Sequence, residues 1–362
     1  MINTCYKKMK LIFLLCSLIL ISPFTSHAVD LTSYDVDVAA LLLEYQGDGD
    51  VAALLREYQG SAGHSALDRP SVLTIIDENE SSTFVDFERG LVLIETANKH
   101  QLKQAIVQVL LTQVDPNLVD AKTAQDFGLI NKGKRPFFWG QILDHEGKPI
   151  EYRWRAERFA DHLIAKNVTQ DTRVRIAIKM VADHTKITGG KYIQYAQAAG
   201  RLYGIAPELI MAIMETESSF NPMARSRSNA LGLMQVKANT AGRDYFSLIK
   251  GYKHTPTSAY LYDPQKNIDL GTGYLQILST RYLAGITHPK KLEYAMISSY
   301  NGGSGNLWKS LDPKANRTKA IARINKMTVS EFYWFLTNRH IRGETRHYLT
   351  KVSNKQKKYT HL

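Results

Sequence analysis

Glu217-Ser218-Ser219-Phe220-Asn221-Pro222 is followed ten residues later by Gly232-Leu233-Met234-Gln235, and the first of these residues is the one placed to do chemistry. Pro207 suits the first turn of a helix, and Glu208 to Thr216 continue it with good helix formers. At about 100° per residue, Ile210, Ile213, Met214 and Glu217 share one stripe. A carboxyl at the edge of an apolar face loses hydration, and its pKa rises. That prepares a general acid to work near neutral pH. Glu215 is expected on the opposite side beside Glu208, solvated. The plain structural alternative is a helix-ending Glu bonded to nearby backbone, with Asn221-Pro222 stopping the helix.

Other chemistries are narrowed by composition. Cys5 and Cys16 are the only cysteines of the 362 residues, and both lie in a segment that reads as a secretory signal. Lys7, Lys8 and Lys10 make its basic start, Leu11 to Phe24 its apolar run, and Ser26-His27-Ala28 its small-residue cleavage pattern. The run is short for a membrane span, so cleavage is favoured, with an uncleaved anchor as the alternative. Leu14 and Leu15 before Cys16 disfavour lipidation there. A mature chain without cysteine has no disulfide, cysteine nucleophile or thiolate metal site. The histidines show no paired ligand spacing, so neither metal nor cofactor is expected. The formal charge of +12 falls to +9 once the three signal lysines are removed. A basic exported protein, with the periplasm as its compartment, suits an anionic polymer or a membrane surface, and export removes nucleic acid as a partner. Oligomeric state is not legible.

The elements that must position Glu217 fall into two parts. Residues 1–28 are the signal and 29–65 a spacer, in which Val38 to Gly47 recurs with one change as Val51 to Gly60. One repeat is too short for a solenoid. From 66 to 188 the pattern is mixed. Leu73 to Ile76, Phe84 to Phe87, Leu91 to Thr96 and Val174 to Met180 read as strands; Leu102 to Leu111 and Trp154 to Ala165 read as helices. This order predicts an α+β domain with an antiparallel sheet. Gly189-Gly190 marks the expected boundary. Beyond it, helices are expected over Tyr192 to Tyr203, Pro207 to Glu217, Asn267 to Ala284, Lys291 to Tyr300, Thr318 to Met327 and Val329 to Asn338. Residues 189–362 therefore read as an all-α domain.

Several blocks occur in a fixed order: Glu217-Ser-Ser-Phe-Asn-Pro, Ser226, Gly232-Leu-Met-Gln235, Asp263-Pro264 with Asn267-Ile268 and Gly271, Tyr300-Asn301-Gly302-Gly303, and Glu344-Thr345-Arg346-His347-Tyr348. Together they resemble the catalytic domain of the soluble-lytic-transglycosylase (SLT) superfamily, which implies a lysozyme-like fold. Residues 66–188 resemble the N-terminal domain of membrane-bound lytic transglycosylase C, through Gly90-Leu-Val-Leu-Ile-Glu-Thr96 and Phe137-Phe-Trp-Gly-Gln141. The resemblance implies non-hydrolytic cleavage of the β-1,4 bond between N-acetylmuramic acid and N-acetylglucosamine in peptidoglycan, closing a 1,6-anhydro ring, in the periplasm or at the outer membrane. It assigns Glu217 as acid and then base, Ser226 to position the acetamido group or the carboxylate, and Tyr300 to support charge and orientation. Gly232, Met234, Gln235, Asn301 and Glu344 are expected along the glycan groove.

Two rivals stand beside this reading. One is a hydrolytic lysozyme of the same fold, which needs a second carboxylate facing Glu217; Asp269 and Glu344 are the residues to check. Ordinary glycosidases hold two carboxyls about 5–5.5 Å or about 6.5–9.5 Å apart, and one well-placed carboxyl is found here. The other is a wall-binding protein with a dormant site.

Overall fold

Asp86 turns the hairpin that ends at Leu91. Its Oδ1 accepts from the backbone N–H groups of Glu88 and Arg89, each at 3.0 Å, and Gly90 completes the turn at φ 68°. The computed structural model describes residues 70–76, 81–112, 135–166 and 174–362. The signal and the tandem repeat lie outside the described residues. Strands β1 (Val72–Ile76), β2 (Ser82–Asp86), β3 (Leu91–Thr96) and β4 (Val174–Lys179) form an antiparallel sheet in the order β1-β2-β3-β4. Helices α1 (Lys99–Leu111) and α2 (Arg153–Lys166) share one core with Val85, Val92, Ile94, Ile176 and Ile178. Helix α1 starts three residues before the expected Leu102 because Asn98 caps it, accepting from Gln101 N at 2.9 Å.

The second part is helical, as read: α3 (His184–Gly190), α4 (Ile193–Tyr203), α5 (Pro207–Ser218), α6 (Pro264–Ile277), α7 (Pro289–Gly302), α8 (Ser304–Leu311), α9 (Arg317–Lys326), α10 (Val329–Arg339) and α11 (Gly343–Gln356). Pro207, Pro264 and Pro289 open their helices, where a missing N–H costs nothing. Asp263 caps α6 through Lys266 N at 2.9 Å. Leu209 to Met214 are all essentially inaccessible to solvent, so α5 is the central helix, packed between α4 and α11. The sequence reading did not include α3, α8 or α11.

A two-residue hairpin, β5 (Ala230–Leu231) with β6 (Val236–Lys237), interrupts the helical pattern. Its loop is Gly232-Leu233-Met234-Gln235. Buried Asn267 of α6 holds that loop: its Nδ2 donates to Leu231 O at 2.9 Å and Leu261 O at 2.6 Å, and its Oδ1 accepts from Met234 N at 2.8 Å.

The expected boundary at Gly189-Gly190 is the end of α3 and is closely packed. A Cβ on Gly189 would lie 3.0 Å from the Phe220 ring. Thr188 Oγ1 donates to Gln141 Oε1 at 2.5 Å, and Asn221 Nδ2 to Pro70 O at 2.8 Å. The α+β part is thus anchored beside the turn that follows Glu217.

Gly232 sits at φ 74°, and a Cβ there would lie 2.3 Å from both Asn267 Nδ2 and Leu261 O. Gly232→Ala is expected to destabilise the fold by about 3 kcal/mol through combined backbone strain and overpacking, read as a lowered urea midpoint with unchanged slope.

Candidate active site

Glu217 occupies the last turn of α5, and the chain reverses directly behind it. Ser219 and Phe220 both adopt left-handed backbone, φ 51° and 63°, a conformation costing non-glycine residues on the order of 1–3 kcal/mol each. The surroundings hold it in place. Phe220 is fully buried against Gly189 and lies beside the Tyr192 and Tyr359 rings. Ser218 Oγ donates to Met214 O at 3.1 Å and to Leu233 O at 2.8 Å, tying the helix end to the β5–β6 loop.

The Glu217 side chain is partly buried. Among the described residues its single hydrogen-bond partner is Tyr348 of α11, whose Oη donates to Oε1 at 2.7 Å. Burial pushes the carboxyl up to about 7; the Tyr348 bond opposes the rise, the Glu344 charge adds to it, and Lys237 lowers it. The acid therefore keeps its proton near neutrality and can release and recover it there. Burial, then the Glu217 charge, hold Tyr348 and Tyr300 well above the usual tyrosine range, so both remain neutral donors. Tyr300 Oη donates to Met234 O at 2.7 Å.

The carboxyl opens into a cleft of about 680 Å³. Thr216 and Ser219 flank Glu217 there, Asn301 enters from α7, and Glu344, His347, Tyr348 and Lys351 line it from α11. Those four residues are one face of a helix at i, i+3, i+4 and i+7. Pro70, Ser71 and Glu88 of the α+β part complete the wall.

The expected residues divide into two groups. Glu217, Asn301 and Glu344 meet in the cleft, and Tyr300 is close enough for the Glu217 charge to act on its hydroxyl. Ser226 does not join them by a hydrogen bond: its Oγ accepts from Ala230 N at 3.0 Å and lies 3.2 Å from Ser228 Oγ, within the turn before β5. Met234 offers no groove-lining side chain. It is fully buried, with its sulfur packed where Gly271 lacks a Cβ, and it acts through its backbone. Gln235 is buried too, its Nε2 donating to Ala224 O and Gly232 O, each at 3.0 Å. The close approach at Gly232 is to Asn267 and Leu261. These three residues build the loop from within.

Two carboxylate expectations also change. Glu215 is buried, not solvated, because the C-terminal segment covers it: Lys358 Nζ and Tyr359 Oη each donate to its carboxylate at 2.7 Å. The cleft holds Glu344 and Glu88 besides Glu217. Glu344 is exposed, and its oxygens are taken by Asn301 Nδ2 at 3.0 Å and an Arg342 nitrogen at 3.3 Å. Asp269 lies elsewhere, bonded by Tyr203 at 2.9 Å and by Tyr245. Tyr348 is the site residue that sequence reasoning left without a role. The signal was its position four residues after Glu344, on the same helical face.

The transglycosylase SLT domain family matches residues 194–322, and the N-terminal domain of membrane-bound lytic murein transglycosylase C matches residues 57–191. A membrane-bound lytic murein transglycosylase C from Serratia proteamaculans is 41% identical over 292 residues, covering 78% of this chain and 80% of that one. The chain belongs to the membrane-bound lytic murein transglycosylase C family. The Yersinia pestis member is 40% identical with the same coverage. A solved 70-kDa soluble lytic transglycosylase in complex with bulgecin A is 25% identical over 49% of this chain and 25% of that one, with a TM-score of 0.36. Within this family member, the SLT match ends before α11, so Tyr348 and Glu344 lie beyond it.

The raised pKa carries a sign for stability. The folded state holds the Glu217 proton more tightly than an ordinary carboxyl of about 4.5, so this contribution is complete below about 4.5 and is lost as pH rises through about 7. Glu217→Gln has no such loss. Its melting temperature relative to wild type is expected to climb between pH 5 and pH 8, as calorimetry at the two pH values will show.

Proposed function

We propose that this chain is a lytic transglycosylase that cleaves the β-1,4 bond between N-acetylmuramic acid and N-acetylglucosamine in peptidoglycan without water. Family membership supports the activity. The observation that carries the chemistry is the desolvated Glu217 carboxyl, bonded by Tyr348 and opening into the cleft. Protonated Glu217 gives its proton to the glycosidic oxygen as the C1–O bond breaks, and the N-acetylglucosamine hydroxyl leaves. The 2-acetamido carbonyl of the muramic acid stabilises the charge at C1. Glu217, now a carboxylate, takes the proton from the C6 hydroxyl of the same sugar, whose oxygen bonds to C1. The 1,6-anhydro ring closes and Glu217 is protonated again. A nucleophile already attached to the substrate has an entropic advantage over water.

The other residues follow from their positions. Tyr348 steadies Glu217 through its neutral hydroxyl, and Glu344 favours the protonated acid by its charge. Tyr300 fixes the β5–β6 loop through Met234 O and faces the reacting region. Asn301 and Glu344 are assigned to the glycan wall, and Ser226 to the turn it closes. Residues 1–28 act as the export signal, 29–65 as a spacer, 66–188 as the α+β domain and 189–362 as the catalytic domain. We assign the protein to the periplasm and to the outer membrane; the words membrane-bound in the names of its relatives support the membrane association. Among the described residues no helix is long and apolar enough to cross a membrane.

Digestion of isolated sacculi is expected to release muropeptides ending in 1,6-anhydro-N-acetylmuramic acid, identified by mass spectrometry; products with only reducing ends would overturn the reading. Glu217→Gln removes the acid and base together and is expected to lower turnover by at least about 100-fold while binding persists.

A further inference from the structure

Glu215 has no part in the steps above, yet it is one of the most elaborately held side chains in the molecule. It sits on α5 two residues before Glu217 and is 4% exposed. Lys358 Nζ donates to its Oε1 at 2.7 Å and Tyr359 Oη to its Oε2 at 2.7 Å. Lys355 Nζ donates to its backbone carbonyl at 2.8 Å and lies 3.6 Å from Oε1. All three partners belong to the end of the chain: the last turn of α11 and the single 3-10 turn Lys357–Tyr359.

The same segment reaches the other side of Glu217. The Tyr359 ring meets Phe220 edge-on, with centroids 6.4 Å apart and planes at 89°. Phe220 is the second left-handed residue of the reversal behind the acid. The C-terminal segment therefore grips the chain at 215 and at 220. It is also continuous with α11, which delivers Tyr348 to Glu217. Tyr348 and Lys355 are seven residues apart on that helix, two turns along one face. Fixing the end of α11 to α5 thus sets where Tyr348 Oη sits.

Glu215 is the buried member of this cluster, and a buried carboxylate left without its partners is strongly destabilising. We propose that Glu215, gripped by Lys355, Lys358 and Tyr359, is a positioning residue for the reaction: this clamp docks α11 on α5 so that Tyr348 meets Glu217. The inference rests on Glu217 being the acid and base of the proposed function. Glu215 acts through Tyr348, since Lys355 and Lys358 neutralise its own charge. The charged groups acting directly on Glu217 are Glu344 of α11 and Lys237 of β6; the Tyr348 hydroxyl bonds it, and its charge reaches Tyr300, whose hydroxyl is held by Met234 O.

The test compares wild type, Tyr348→Phe, Glu215→Ala, Glu215→Gln, Tyr359→Phe and the Glu215→Ala/Tyr348→Phe double variant. Carbon-13 NMR of labelled glutamate follows the Glu217 carboxyl, identified by its loss in Glu217→Gln. Kinetics on a soluble muropeptide chain give kcat, KM and the alkaline limb of kcat/KM. The Tyr348 bond lowers the Glu217 pKa, so loosening it moves the titration midpoint and the alkaline limb upward. Glu215→Ala is expected to shift both in the same direction as Tyr348→Phe and to lower kcat on the order of ten- to a hundredfold, with KM little changed. The double variant is expected to shift no further than Tyr348→Phe alone. Glu215→Gln keeps an acceptor for Tyr359 and is expected to recover part of the loss. If Glu215→Ala fails to fold, Tyr359→Phe reads the same shift at smaller size. A midpoint that stays at the wild-type value, or shifts that add in the double variant, would overturn the clamp. Full activity in Glu217→Gln would instead overturn the catalytic reading on which it rests.

Discussion

One hydrogen bond organises the cleft: the hydroxyl of Tyr348 on the carboxyl of Glu217. Burial alone would drive the acid's pKa higher, and a proton held too firmly is useless to a leaving group. The bond opposes that rise and leaves the carboxyl near 7, where the proposed reaction needs its proton to be given up and regained. The tyrosine can do this only while it keeps its own proton, and its burial ensures that. Two buried groups thus hold each other in the protonation states that the chemistry needs.

That bond depends on structure from far along the chain. α5 is sheathed by helices on its apolar sides and ends in a strained reversal, so Glu217 is presented at a fixed point. The reversal is held by aromatic packing on Phe220 and by the Ser218 bond to the β5–β6 loop. Asn267 holds the loop from beneath. The motif residues that look most like a binding groove in the sequence, Gly232, Met234 and Gln235, are the internal frame of that loop. The walls that face the cleft come from α7, α11, the β2–β3 turn and the residues just before β1.

Much of this was legible in the sequence. Short apolar runs and one alternating stretch placed the strands, a proline start placed α5, and the 3.6-residue period placed Glu217 at the end of an apolar stripe; α6 begins three residues before the expected Asn267. Four things were not legible, each for a physical reason. α11 is largely polar and buries only Thr345, Tyr348, Leu349 and Val352, too few for the periodicity to stand out. Glu215 points away from the stripe that holds Glu217, which reads as solvent until a charged C-terminal segment folds over it. Ser226, Met234 and Gln235 belong to blocks whose order marks a loop, but order along a chain does not say which side chains turn inward. Tyr348 escaped because its role depends on a contact with a residue 131 positions earlier.

The wall of the cleft draws on both extremes of the described chain. Pro70 and Ser71 close one side, anchored through Asn221, and α11 closes the other. Such long-range closures form late in folding, after local helices and hairpins. A chain whose C-terminal helix has not yet docked therefore carries Glu217 on a helix but has no finished cleft around it. The acid and the cavity around it are thus completed by separate events, the second waiting on the docking of α11.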